Sequence, residues 1–432
     1  MAELSKKAVR TVNWALDRFY NAKDLKAPKL IEDFRVPNVL ARELPLKENR
    51  VLLMSDVALE HLRRMVSAIH EADAFDGLAN YSDVYSACKG VLAELISNGQ
   101  RPDDANELLA LMRTRISSAI DERTFAVPIV GVVLKGIDCV DLGMVQIVPA
   151  SVDYLDAAGV NHTHADVENT IKRTRARYWL VGTTKGTPDV AEDKFRSQAE
   201  LAVGMLAITA AAMYEDGAEA FRLGLAMSPE EAHGVAGWFS WSGQSKSLTS
   251  HFKAPHGQEL ELSAELLQRV RESGVFDKAL SIFESTRRSP LEEAIAKAVY
   301  WYADAQREQV PVMKLVKYWS CSETFFSADN KDVARALSAG VAAVLVFGHF
   351  RFVPEGEYAK IKQRVTKLYD HRSRALHGAS HHHVSSRETA DLSQCTAWML
   401  LNMISFAEQG YTRVEQVKEQ CERLDRLMKA NK

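Results

Sequence analysis

One short stretch gathers side chains able to do chemistry together: Lys367-Leu-Tyr-Asp-His-Arg372-Ser-Arg-Ala-Leu-His377-Gly378. An arginine and a histidine lie five residues apart near the end of an expected helix. Such a pair suffices for metal-free cleavage of RNA. The 2′-hydroxyl must lose a proton as it attacks the adjacent phosphorus. A neutral imidazole, with an ordinary pKa of about 6.5, can take that proton or give one to the leaving 5′-oxygen. The phosphorane gathers negative charge, and a guanidinium grips two of its oxygens where an ammonium offers a point charge. On a straight helix, five residues at about 100° each set the two side chains about 140° apart. They converge if the last turn unwinds at Gly378, or if a second copy completes the site; the second option predicts a dimer. Spacing alone is also met by chance on a solvated helix face.

Other candidates say less. His162, His164 and Asp166 have ligand chemistry but no identifiable further ligand, so a solvated loop is the plainer reading. His381, His382 and His383 follow Gly378-Ala-Ser and read as an exposed loop, with substrate contact or adventitious metal as the alternatives. Lys172-Arg-Thr-Arg-Ala-Arg177 is a basic cluster ahead of a strand, either a solvated face or an RNA or phosphate contact. Gly182-Thr-Thr-Lys-Gly-Thr187 has the wrong spacing for a P-loop and reads as a turn between strands. GxGxxG, GxSxG and HExxH are missing.

Three regions must position these residues. Residues 1–124 read as helical, with apolar stripes at Val9, Val12, Leu16, Phe19, then Leu59, Leu62, Met65, Ile69 after a cap at Ser55 or Asp56, then Leu108, Leu111, Ile116, Ile120. Residues 125–285 read as an α+β domain, with a sensor or regulatory role as the expectation. Its expected strands are Val127–Leu134, Leu142–Val148, Tyr178–Thr184, Phe221–Met227, Gly237–Trp241 and Leu248–Phe252, with a helix from about Ala191 to Tyr214 and another over 263–286. Residues 286–432 read as an all-α bundle of six helices. The first starts at Ser289-Pro290 and buries Leu291, Ile295, Ala298 and Tyr302; the fourth, from about Glu357 to Leu376, carries Arg372 and stops at Gly378.

The chain has 432 residues, enough at about 100–200 per domain for two to four domains. Lys and Arg total 54 against 57 Asp and Glu, for a formal charge of −3, which excludes a basic nucleic-acid coat but not a local basic groove. The five cysteines form no CxxC pair, which argues against a disulfide scaffold or a cysteine zinc site. The N-terminal stretch lacks the apolar core of a signal peptide, and the longest apolar run, 336–350, falls short of the roughly 18 residues of a membrane span. A cytoplasmic protein is expected, with no membrane partner.

The segment Leu368-Tyr-Asp-His-Arg-Ser-Arg-Ala-Leu-His-Gly378 resembles the motif of the ApeA-like HEPN domain family, in which four to six residues separate an arginine from a following histidine in a four- or five-helix bundle. Ala298-Val-Tyr-Trp-Tyr302 is similar to the aromatic first helix of such domains, and Leu315-Val-Lys-Tyr-Trp-Ser-Cys-Ser-Glu323-Thr-Phe-Phe326 to their second. The resemblance covers about a third of the chain, 289–410, and says nothing of 1–285. It implies a metal-independent endoribonuclease with no cofactor. Arg372 and His377 map onto the catalytic pair, with Ser373 and Glu323 as supporting positions. It implies a homodimer through the C-terminal bundle, an RNA substrate, and work in antiphage defence or a toxin system under a trigger or regulatory protein. Members that have lost the pair serve as scaffolds. Apart from that resemblance, a non-catalytic dimerisation and interaction protein is the alternative, and a nucleotide-binding module a third reading that the missing P-loop disfavours.

Overall fold

The computed structural model describes residues 3–21, 23–28, 39–161, 163–174, 176–214, 221, 223–225, 236–241, 248–253, 258–308, 310–326, 333–378 and 384–430, without the side chains of 236–241, 248–253, 374–378 and 386. The chain divides into two compact units. The first comprises residues 1–124 with 183–195, the second 125–182 with 196–432.

In the first unit, helix α1 (Lys6–Phe19) is started by Ser5, whose hydroxyl accepts from the Ala8 N–H. A short helix α2 (Val39–Arg42) follows, then α3 (Asp56–Glu71), capped by Ser55, α4 (Tyr81–Ser97) and α5 (Ala105–Ser117). Strands β1 (Leu25–Lys26), β2 (Glu43–Pro45) and β3 (Val51–Met54) form a small antiparallel sheet in the order β1-β3-β2. The expected stripes supply the core: Val12, Leu16 and Phe19 pack with Leu62, Met65 and Ile69. The third stripe has a different register from the one read in the sequence. Leu108, Leu109, Met112 and Ile116 are buried, and Leu111 faces solvent.

The second unit joins a β region to the helical bundle. Strand β4 (Asp121–Val130) and strand β5 (Val132–Lys135) replace the single strand expected over Val127–Leu134, the break falling at Gly131. β6 (Val140–Asp141) and β7 (Val145–Pro149) flank a turn, and helices α6 (Val152–Ala157) and α7 (His164–Thr174) lead to β8 (Tyr178–Gly186). With β9 (Gly224–Leu225) these make a five-stranded sheet in the order β6-β7-β8-β4-β9. β10 (Ala236–Trp241) and β11 (Leu248–Lys253) pair as an antiparallel ribbon, and β12 (Leu260–Ser263) runs parallel to β5. Helix α8 (Pro188–Met213) begins directly after β8. Gly182–Thr187 is therefore a strand end and a helix start rather than a turn between strands, with the Thr187 carbonyl accepting from Ala191 N–H. The single helix expected over 263–286 is two, α9 (Ala264–Arg271) and α10 (Val275–Glu284). Gly274 separates them at φ +72, a conformation that interrupts helix and suits glycine.

The bundle follows as α11 (Pro290–Arg307), α12 (Pro311–Phe326), α13 (Val333–Phe347), a 3₁₀ turn at Glu355–Glu357, α14 (Tyr358–Gly378), α15 (Ser386–Glu408) and α16 (Val414–Ala430). Ser289 and Glu292 close a capping box on α11, and Pro290 presets its first turn. Leu291, Ile295, Ala298 and Tyr302 form its buried face, as the spacing predicts. Tyr302, Tyr318, Trp319 and Phe325 are the large residues of the bundle core. The two tyrosine hydroxyls are paired: Tyr302 Oη lies 2.8 Å from Ser393 Oγ, and Gln306 donates to Tyr318 Oη at 2.6 Å. Helix α8 crosses α11 at Gly204, where a Cβ would come within 2.9 Å of Val299 Cγ1. A helical N-terminal region, a mixed α and β middle and a helical C-terminal region make up the chain.

Candidate active site

Helix α14 carries the arginine–histidine segment, and α12 and α15 supply what faces it. Val365 and Leu368 are buried, which fixes the rotation of α14 and turns Arg372 inward, four residues beyond Leu368. The Arg372 guanidinium meets Glu323 of α12, Nη2 to Oε1 at 2.8 Å, with the two side chains only 21% and 25% exposed. Its Cζ also lies 5.5 Å from the Tyr369 ring centroid, and Tyr369 in turn meets Trp319 edge-on at 5.3 Å. Arg372 is thus no free polar tip beside an apolar stripe. It is clasped between a carboxylate and a ring.

The electrostatics of the clasp follow from burial. Loss of water lifts the Glu323 carboxyl above its ordinary range, and the Arg372 guanidinium pulls it back only in part. Three buried side-chain nitrogens at this place make no hydrogen bond with the protein: Trp319 Nε1, His371 Nε2 and Arg372 Nε. Buried polar groups without a hydrogen bond are uncommon in folded proteins, and the Trp319 Nε1 and Arg372 Nε donors on facing helices leave hydrogen-bonding capacity unspent.

A second pair lies beside the first and has no sequence signature. His371 Nε2 sits 3.2 Å from Glu388 Oε1, near enough for an ion pair when the ring is protonated but misaligned for a hydrogen bond. Glu388 belongs to the capping box of α15, accepting from the Ser385 N–H at 3.0 Å. That bond, the Ser385 hydroxyl and the nearby His371 and Lys367 hold its carboxyl below the usual range against the effect of burial. The ligation of His371 by a carboxylate 17 positions away depends on how α14 and α15 pack, which local spacing cannot reveal.

The remaining expected positions fall as follows. Ser373 is half-buried on α14. The backbone of His377 continues α14, five residues beyond Arg372, and its side chain lies outside the described residues, as do His162 and His381–His383. His164 opens α7 and pairs with Asp156 at 3.2 Å. Among the described residues no group of three or more His, Cys, Asp or Glu side chains is placed to hold a metal ion. In the basic cluster, Arg177 Nη1 reaches both oxygens of Glu259 at 2.7 and 2.9 Å and Lys172 pairs with Glu168 at 3.7 Å, so two of its three described cations are already spent on carboxylates. No described helix is long and apolar enough to cross a membrane. The described cysteines are all free, and burial pushes the Cys395 thiol up to about 11, so it stays protonated at neutral pH.

The chain matches no family model, no curated protein and no solved structure. What the site can do is therefore argued from its own residues. A guanidinium held on one edge by a carboxylate keeps other N–H donors for an anion. A helix that brings an imidazole within two turns of that anion completes the minimum for proton transfer at a phosphodiester.

Proposed function

We propose that the C-terminal bundle is a metal-independent endoribonuclease of HEPN type, needing no cofactor, that cleaves RNA by attack of the 2′-hydroxyl. The observation that carries the reading is the clasped Arg372 with its unpartnered Nε, beside a buried Trp319 Nε1 that also makes no hydrogen bond. A phosphate oxygen is the acceptor such donors lack. In this mechanism Arg372 binds the non-bridging oxygens and stabilises the charge of the phosphorane. His377 carries the proton, Glu323 orients the guanidinium, and Ser373 supports the turn between them. Each role uses a group whose chemistry fits: a planar fork for two oxygens, an imidazole for a proton near neutral pH. A role in antiphage defence or a toxin system, with residues 1–285 sensing a trigger or holding the nuclease in check in the cytoplasm, belongs to the same proposal.

The non-catalytic alternative also has an observation in its favour. The Glu323–Arg372 pair is half-buried and links α12 to α14, so the arginine has a structural use whether or not it meets RNA. The test is cleavage of RNA by the purified protein in EDTA, beside the Arg372→Lys and His377→Ala variants. The expected products carry a 2′,3′-cyclic phosphate and a 5′-hydroxyl. His377→Ala should lose roughly two or more powers of ten in rate, and Arg372→Lys most of the activity despite keeping its charge. A wild type that cuts no RNA even with its natural trigger supplied, and is as harmless to growing cells as His377→Ala, leaves only the scaffold.

A further inference from the structure

A second concave site lies in the bundle on residues that the proposed nuclease does not use. It encloses about 320 Å³, inside the range of pockets that hold small organic ligands. The end of α13 gives it Phe347, the end of α15 gives Phe406 and Gln409, the turn into α16 gives Tyr411, and α16 gives Gln420. His349 and Arg351, from the turn after α13, also line it. Two walls are aromatic, Phe406 and Tyr411 lying 5.4 Å apart between ring centroids. No carboxylate lines the space. The buried Cys421 thiol beside it is pushed up to about 12 and carries no charge at neutral pH.

Arg351 is the unusual member. Its backbone φ is +44, in the left-handed region where a side chain costs energy that glycine avoids. Glu48, Asn49, Asp73 and Asp76 share that region; Asn and Asp tolerate it best, and of the two long side chains held there, Glu48 and Arg351, only Arg351 lines this cavity. The turn that imposes it is well fastened. Gly348 N–H donates to Val344 O at 2.9 Å, Val353 N–H to Leu345 O at 3.1 Å, and Phe350 N–H to the buried Asn402 Oδ1 at 3.1 Å. A residue kept in a costly conformation on the wall of a cavity points to use of its side chain. Arg351 makes no ion pair among the described residues, so its charge is uncommitted.

We propose that this pocket binds a small aromatic anion: a flat ring against Phe347, Phe406 and Tyr411, its phosphate or carboxylate on Arg351, and its polar edge toward Gln409 and Gln420. The ring explains the aromatic walls and the two amides, and the anion explains an unpaired arginine where glycine would be easier. A competing use of Arg351 is structural, since a cation near the C-terminal end of α13 favours the helix dipole. The inference does not rest on the nuclease reading.

The substitution Arg351→Gly separates the two uses, because it removes the guanidinium while relieving the backbone. Calorimetry on the full chain would use uridine 5′-monophosphate, adenosine 5′-monophosphate and 4-hydroxybenzoate as probes, with uridine and inorganic phosphate as half-ligands. The expected result is that at least one aromatic anion binds with a Kd below about 1 mM and about tenfold more tightly than either half-ligand. Arg351→Gly should weaken it about tenfold or more with Tm unchanged or raised, and Arg372→Ala should leave it unaltered. The two kinds of source separate by which probe binds, a nucleotide or the carboxylate. Absence of binding by all three probes, equal binding by Arg351→Gly, a lowered Tm in that variant, or loss of binding in Arg372→Ala each overturns the proposal.

Discussion

The Glu323 carboxylate and any phosphate bound to Arg372 would share one guanidinium, and the energetics of that sharing are testable without substrate. Burial raises the folded-state pKa of Glu323 above its ordinary value near 4.5, the guanidinium offsetting only part. The folded protein therefore holds the Glu323 proton more tightly than the unfolded chain does. The resulting stabilisation is fully present below about pH 4.5 and is lost as pH rises through the folded value. Against Glu323→Gln, which cannot titrate, the wild type should gain relative stability on acidification through this window, and melts at a series of pH values would show it. A flat difference would mean that the clasp is open in solution. Removing the other partner is a different perturbation. Arg372→Ala strands a half-buried carboxylate and should cost about 1–3 kcal/mol in a urea melt at neutral pH. Activity measurements on that variant consequently need a stability control, which Arg372→Lys supplies.

Helices α14 and α16 are tied together by one buried carboxylate. Asp425 is 5% exposed and accepts from Tyr358 Oη at 2.9 Å, from Lys429 Nζ at 2.6 Å and from Lys362 Nζ. Burial alone would raise its pKa; the bonds from Lys362, Lys429 and Tyr358 prevail and bring it from an ordinary 3.8 down to about 2. A depressed carboxylate contributes stability above its unfolded pKa and loses it as pH falls through the folded one. Asp425→Asn should cost on the order of 3 kcal/mol near pH 7, and the deficit should shrink between about pH 4 and pH 2. A variant that melts like the wild type at pH 7 would show that the three donors find equal partners elsewhere. This tie has no trace in local sequence, because its members span Tyr358 to Lys429. The elements themselves left clearer signs. Ser289-Pro290 with Glu292 marks the start of α11, and the stripes at Val9–Phe19 and Leu59–Ile69 mark α1 and α3, since caps and 3.6-residue periodicity are local properties. Helix α4 was hidden: its buried stripe, Val84, Ala87, Cys88, Val91 and Leu92, is built in its first half from Ala and Cys among Tyr, Ser and Lys, so the apolar periodicity is weak there, and its start is marked by an Asn80–Asp83 capping box. Strand β4 begins at Asp121, six residues before its β-branched run, because Asp-Glu-Arg-Thr pairs through backbone bonds that side-chain type does not announce. At the site, Arg372 stands out by type and position, whereas Glu388 and the inward turn of the guanidinium arise from packing between helices.

At the scale of the whole molecule, the proposed nuclease would make assembly part of the chemistry, because Arg372 and His377 diverge by about 140° along one helix. A second copy, applied with its own α14, would bring the histidine of one chain toward the arginine of the other. The surface available for that contact is polar. Lys360, Gln363, Arg364, Lys367 and Asp370 are the exposed residues on the middle of α14, and no large apolar side chain is exposed on its described part. Arg364 is already bound to Asp391 and Lys360 to Glu357, which leaves Lys367 as the cation with least local compensation. An interface of this composition draws on charge pairing more than on apolar burial, and charge pairing at a surface weakens when the Debye length falls from about 8 Å at physiological salt to about 3 Å at 1 M. The expected outcome of light scattering at micromolar concentration is therefore a dimer in 0.15 M salt that shifts toward monomer in 1 M salt, with RNA cleavage falling in parallel. Lys367→Glu should weaken the dimer in low salt. Mixing Arg372→Ala with His377→Ala chains should restore part of the activity that each lacks alone, because one of the two composite sites in a mixed dimer is intact. A strict monomer that still cleaves RNA, or a mixture as inactive as its components, would instead require the last turn of α14 to unwind at Gly378 and bring both groups of a single chain to the same phosphate.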